Sequence, residues 1–269
     1  TYTSSGVVIH GTFYETTVVL RDGDGKAVGT TPVKVLLAER ITCDFTTAGC
    51  KATDQPSGVK YAGVGYNRNN IAGTSINGMN PLVNVKTTAG QQLQPGYIVG
   101  NDGVTVGLSQ EATKGFSLVK LTQDLTTSVP GAPQWNQTSM TVRAGGATGS
   151  GSVLLDAGIG YMFLSPPSGT ALRRGHVAPE GTRLAIYLPD RRQPQPVSYD
   201  LVVGRRGNPL HPAKVEVVHD SGVFVNTGRM FLQGFDYLYD AAGGYVGFGW
   251  NGRVSPDYGG VTPGLSAAR

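Results

Sequence analysis

The chain has 269 residues, enough to bury a sizeable core as one large domain or as two lobes. Hydrophobic residues make up 39 %, which excludes a disordered polymer, and no apolar run approaches the roughly 18 residues of a membrane-spanning helix. The net charge is +4, but the basic pairs Arg173-Arg174, Arg191-Arg192 and Arg205-Arg206 lack interleaved aromatics, so they read as solvated loop charges and not as a nucleic-acid surface.

Gly 40 and Pro 16 against 15 % charged residues predict many short strands joined by tight turns. The chain opens at Thr1-Tyr2-Thr3 within a strand-like run, which reads as a processing boundary. Strands are predicted at Val7–His10, Thr16–Leu20 and Val33–Leu37, with a hairpin turn at Asp22-Gly23-Asp24-Gly25. That turn lacks the downstream ligands of a calcium loop. Cys43 and Cys50 bound a loop short enough for a disulfide, which implies an oxidising compartment; two reduced thiols in a cytosolic protein are the alternative. Neither has a His nearby, so no metal site is expected. A short helix is predicted at Asn80–Val85, a strand at Val104–Leu108 after the turn Asn101-Asp102-Gly103, and a strand at Thr138–Val142. Gly145–Gly151 reads as a flexible turn; no Lys-Ser/Thr follows it, so it is not a phosphate loop. Further strands are predicted at Val153–Leu155, Arg183–Leu188, Ser198–Val203 and Lys214–Val218, then a short helix at Gly228–Phe235 and a turn at Ala242-Gly243-Gly244. The fold class is therefore all-β, with residues 1 to about 120 and about 135 to 250 as two sheet systems.

The stretch most suggestive of chemistry is Val153-Leu154-Leu155-Asp156-Ala157-Gly158-Ile159-Gly160. A carboxylate directly after a buried strand is a costly placement, and the glycine behind it permits a tight turn. A Ser-His hydrolase built from Ser4, Ser5, His10 and His219 is disfavoured, because no Gly-x-Ser-x-Gly elbow is present.

This stretch resembles the C-terminal active-site strand of pepsin-like aspartic peptidases, whose motif is apolar-apolar-Asp-Thr/Ser-Gly, in a divergent, bacterial-type form. Three further stretches resemble that family in its order. Thr1-Tyr2-Thr3-Ser4-Ser5-Gly6 through Gly11 looks like the flap hairpin, with Tyr2 as the flap tyrosine in a hairpin Tyr2–Leu20. Tyr61-Ala62-Gly63-Val64-Gly65-Tyr66 resembles the strand closing the first ψ-loop. Val225-Asn226-Thr227-Gly228 through Leu232, with Phe235–Asp240 and Gly244–Phe248, resembles the closing segment. Trp135 before Thr138–Val142 matches the strand preceding the second motif.

The resemblance implies a two-lobed fold with ψ-loops and an incomplete N-terminal lobe. Residues 1–125 would hold the flap hairpin and interlobe sheet, 126–253 the lobe carrying Asp156, and 254–269 a flexible tail. It implies Asp156 as a catalytic carboxylate, with Ala157 and Gly158 in the active-site loop and no cofactor or metal. Asp220-Ser221-Gly222 lies after Asp156 and reads as a turn, so the first catalytic Asp is expected on an N-terminal chain or segment acting as partner. Peptide or protein would be the substrate, and the protein would be secreted, periplasmic or at the cell surface. Ala157 and Ile159 depart from the pattern, since hydroxyl residues often stand in both places. That departure supports the alternative of a catalytically impaired binding or structural module.

Overall fold

The computed structural model describes residues 7–43, 50–58, 63–66, 80–126, 128, 133–190, 196–205, 207–218 and 222–261. The protein is all-β, and no helix reaches seven residues among those described. No helix among them is long and apolar enough to cross a membrane. The chain folds as two units, Thr1–Val64 with Asn70–Leu93, and Gly65–Asn69 with Gln94–Arg269.

In the first unit, β1 (Val7–Arg21) and β2 (Ala27–Cys43) form one long antiparallel hairpin. Its turn is the expected Asp-Gly-Asp-Gly stretch, where Oδ1 of Asp22 accepts from the N–H of Asp24 at 3.1 Å and of Lys26 at 2.9 Å. The sequence suggested separate strands at Val7–His10 and Thr16–Leu20, and a hairpin over Tyr2–Leu20. Instead the described part of that stretch is a single strand whose partner lies downstream. Residues Gly11 to Glu15 stay extended because each pairs across to β2, from Gly11↔Ala38 to Glu15↔Lys34, with an irregularity at His10/Gly11. β3 (Lys86–Thr87) adds beside Gly29 and Thr30 of β2. Val33, Val83 and Val85 are buried in this unit. The helix expected at Asn80–Val85 is instead a turn, held by Asn80 Oδ1 accepting the Leu82 N–H at 2.9 Å. Cys43 and Cys50 are joined in a disulfide, as their spacing suggested.

The second unit contains two sheets. In the five-stranded one, β4 (Gly96–Gly100), β5 (Gly103–Val106), β6 (Ser117–Lys120), β15 (Phe235–Asp240) and β16 (Tyr245–Trp250) run in the order β5-β4-β15-β16-β6. In the nine-stranded one, β7 (Ser139–Ala144), β8 (Ala147–Leu154), β9 (Met162–Ser165), β10 (His176–Val177), β11 (Arg183–Leu188), β12 (Val197–Val202), β13 (Val215–Val217), β14 (Phe224–Asn226) and β17 (Gly259–Val261) run β10-β13-β9-β14-β8-β7-β11-β12-β17. Period-2 alternation places Met140 and Val142 of β7, Leu184, Ile186 and Leu188 of β11, and Tyr199 and Leu201 of β12 in the core. Each such side chain contributes about 1.5–3 kcal/mol by leaving water. Gly145–Gly151 is not a loop as expected. Only Gly145 and Gly146 turn, and Ala147 onward is β8. A Cβ at Gly151 would lie 1.8 Å from the carbonyl oxygen of Val223, so the glycine lets the segment entering β14 approach β8 closely.

A run of aromatics connects the two sheets of this unit. Phe231 stacks on Phe235 at 4.5 Å, and Tyr199 meets Phe231 edge-on at 5.6 Å. The fully buried Tyr199 hydroxyl donates to the Leu210 carbonyl at 2.6 Å. A second cluster stacks Tyr66 on Tyr239 at 4.8 Å, with Tyr97 edge-on to Tyr239. The Tyr66 hydroxyl accepts the Thr138 N–H at 3.2 Å, and burial pushes its phenol well above the usual tyrosine range.

Candidate active site at Asp156

β8 ends at Leu154, and the chain leaves the sheet through Leu155 and Asp156. β14 is inserted between β8 and β9. It runs parallel to β8, pairing Val225↔Val153 and Asn226↔Leu154, and antiparallel to β9, pairing Val225↔Leu164 and Asn226↔Phe163. Two stretches distant in sequence therefore leave the sheet side by side, one into Asp156-Ala157-Gly158 and the other into Thr227-Gly228.

Backbone bonds tie these two exits together. The Thr227 N–H donates to the Leu154 carbonyl at 3.0 Å, and the Arg229 N–H donates to the Ile159 carbonyl at 2.8 Å. Gly228 has φ 63°, and a Cβ there would lie 2.3 Å from the Tyr161 carbonyl oxygen. The glycine is needed both for its left-handed backbone and for the close approach. From it the chain enters the 3₁₀ helix Arg229–Gln233, close to the short helix expected over Gly228–Phe235.

Asp156 is half-buried, while Ala157 and Gly158 are exposed. Oδ1 of Asp156 accepts the Gly158 N–H at 2.8 Å, and Oδ2 accepts the side-chain amide of Asn226 at 3.0 Å. Oδ1 of Asn226 in turn accepts the Gly228 N–H at 3.0 Å. Asn226 is only 5 % exposed, and Thr227 beside it is fully buried. The carboxylate thus has one anchor in its own loop and one in the other exit. Neither anchor is an acid, so among the described residues no second carboxylate shares a proton with Asp156.

The other candidate residues lie outside the described residues or make contacts of their own. Tyr2 and Gly6 lie outside, as do Ser4, Ser5, His219 and the acid of Asp220-Ser221-Gly222. His10 sits on β1, where its Nε2 is 2.8 Å from Oγ1 of Thr42. The described part of Tyr61–Tyr66, residues 63–66, forms no strand. Trp135 is buried and donates from Nε1 to the Ala241 carbonyl at 2.9 Å, bracing the turn after β15. Among the described residues no group of three or more His, Cys, Asp or Glu side chains converges as a metal site would require.

Sequence reasoning did not single out Asn226. It lies within the closing segment Val225–Leu232. The available signal was the apolar strand around it, because a buried amide must find partners. Compared with known proteins, the sequence matches no family model and no curated relative.

Proposed function

We propose that the chain is the larger part of a pepsin-like aspartic endopeptidase, in which Asp156 is one of two carboxylates that activate a water against a peptide bond. The observation that carries this reading is the Asp156 loop bonded to the exit of a strand inserted between β8 and β9. Such an arrangement holds a carboxylate at the end of a rigid sheet while leaving lone pairs open. The chemistry requires a second carboxylate, supplied by a separate chain or segment. One acid takes a proton from the water while the other gives one to the carbonyl oxygen, so the pair works only when singly protonated. The Cys43–Cys50 disulfide supports a secreted, periplasmic or cell-surface setting.

The test uses the complete gene product on an unfolded protein substrate. Cleavage at about pH 3–5 that is abolished in Asp156→Asn supports the reading. Cleavage that survives Asp156→Asn, or that peaks at neutral pH, refutes it.

A second reading is a binding module that keeps the fold and holds a peptide, glycan or protein partner. Ala157 favours it, because an exposed methyl stands where the family resembled carries a hydroxyl. For this reading, Asp156→Asn leaves binding intact and no cleavage is seen at any pH.

A further inference from the structure

Resting on the peptidase reading, we propose that Asn226 is the positioning residue of the Asp156 half-site, holding the carboxylate in one orientation at every stage of its protonation. The Gly228 N–H can only donate. Oδ1 of Asn226 must therefore face it, at 3.0 Å, and Nδ2 must face Oδ2 of Asp156, also at 3.0 Å. Reversing the amide would set two acceptors against each other on one side and two donors on the other. The orientation of Asn226 is thus fixed by a backbone group that does not titrate.

The backbone of Asn226 is fixed as well, because β14 is paired on both edges, to β8 and to β9. The carboxylate is consequently oriented by a rigid strand as well as by its own exposed turn. Gly158 holds Oδ1 and Asn226 holds Oδ2, so each oxygen keeps one lone-pair site for a water or a proton. An amide suits this task better than Lys or Arg. A cation would bind the ionised carboxylate far more strongly than the acid and would oppose protonation. A neutral amide donates to an oxygen of either form, so the acid can give and regain its proton without leaving its place. Burial of Asn226 means that little water can replace the bond once it is lost.

The first measurement needs no activity. In the 269-residue chain, one Asn226 side-chain amide proton should exchange with solvent about tenfold more slowly than in an exposed Asn, and Asp156→Ala should abolish that protection. The second uses the complete gene product with Asn226→Leu, similar in size but unable to donate. Its kcat should fall about 10–100-fold, the loss of a bond to a charged group, with KM within twofold. An unprotected amide overturns the proposal, and so does an unchanged kcat in Asn226→Leu. If the complete gene product cleaves nothing, the peptidase reading fails while the exchange result still decides whether Asn226 holds Asp156. If Asn226→Leu does not fold, exchange in the wild type and in Asp156→Ala decides.

Discussion

The side chains of Asn226 and Asp156 meet at 3.0 Å across 70 residues of sequence, at the points where two parallel strands leave one sheet. Replacing the amide with a second acid should convert this contact into a pH switch. In Asn226→Asp the two carboxyl groups face each other and cannot both ionise without repulsion. The pair holds a proton more tightly when folded than when unfolded, so its folded titration is raised. Stability is then full below the unfolded carboxyl range of about 4 and is lost as pH rises through the raised folded value. Urea unfolding should show Asn226→Asp about 2–4 kcal/mol below wild type at pH 7, with the gap narrowing below about pH 4. A gap that does not change with pH would mean the two side chains do not meet.

Gly228 should tolerate no side chain. It combines φ 63° with a carbonyl 2.3 Å from a built Cβ, so Gly228→Ala adds a clash to backbone strain. A cost above about 2 kcal/mol is expected. Gly146 has φ 86° but nothing within 4 Å of its Cβ position, so Gly146→Ala should cost only about 1 kcal/mol. Equal losses in thermal unfolding would contradict the close approach at Tyr161.

Alkali should weaken the second unit. Burial raises the phenols of Tyr66, Tyr199 and Tyr239, so the folded state keeps protons that the unfolded state releases above about pH 10. Stability is therefore full below that pH and falls as pH rises beyond it. Tyr199→Phe removes one such group but orphans the Leu210 carbonyl. It should cost about 1–2 kcal/mol at pH 7 and less at pH 11. A stability independent of pH between 9 and about 11 would contradict the burial of these rings.

Thiol titration in denaturant without reductant should find no free thiol, since both cysteines of the chain are paired. Reduction should remove up to about 2.5 kcal/mol, the chain-entropy value for so short a loop. Two titratable thiols would also remove the support for an oxidising compartment.

Features carried by local pattern were legible in the sequence. Arg183–Leu188 alternates cleanly and forms β11 over those same residues. Gly228 and the apolar residues after it marked the turn into a short helix. What escaped depends on long-range pairing. Gly11–Glu15 opens on a glycine and does not alternate cleanly, yet a ladder to β2 keeps it extended. Gly149 and Gly151 look like loop residues but are strand positions, where Pro167 lies tight against the first and the Val223 backbone comes too close to the second for a side chain. The insertion of β14 between β8 and β9 has no local signature, because β14 is three residues long and both its partners are distant. The same applies to the site: Asp156 was visible as an acid after an apolar strand, whereas Asn226 gains its role only from that insertion.

The 269-residue chain alone should hydrolyse no peptide bond, because no second carboxylate is bonded to Asp156 among the described residues and a single carboxylate cannot act as both acid and base in one step. With the segment that supplies the second carboxylate, whether fused or as a separate chain, cleavage should appear at acid pH and disappear in Asp156→Asn. Ala157→Thr then separates the two functional readings. Ala157 is exposed and lacks a hydroxyl, so Thr at this position adds a hydrogen-bonding group without displacing buried atoms. In a peptidase this group should brace the loop and raise kcat several-fold, up to about tenfold, the worth of one hydrogen bond of about 1.4 kcal/mol. In a binding module the same substitution should leave ligand affinity unchanged. Acid-range cleavage by the 269-residue chain on its own, with intact mass analysis showing no co-purifying fragment, would overturn the two-carboxylate argument.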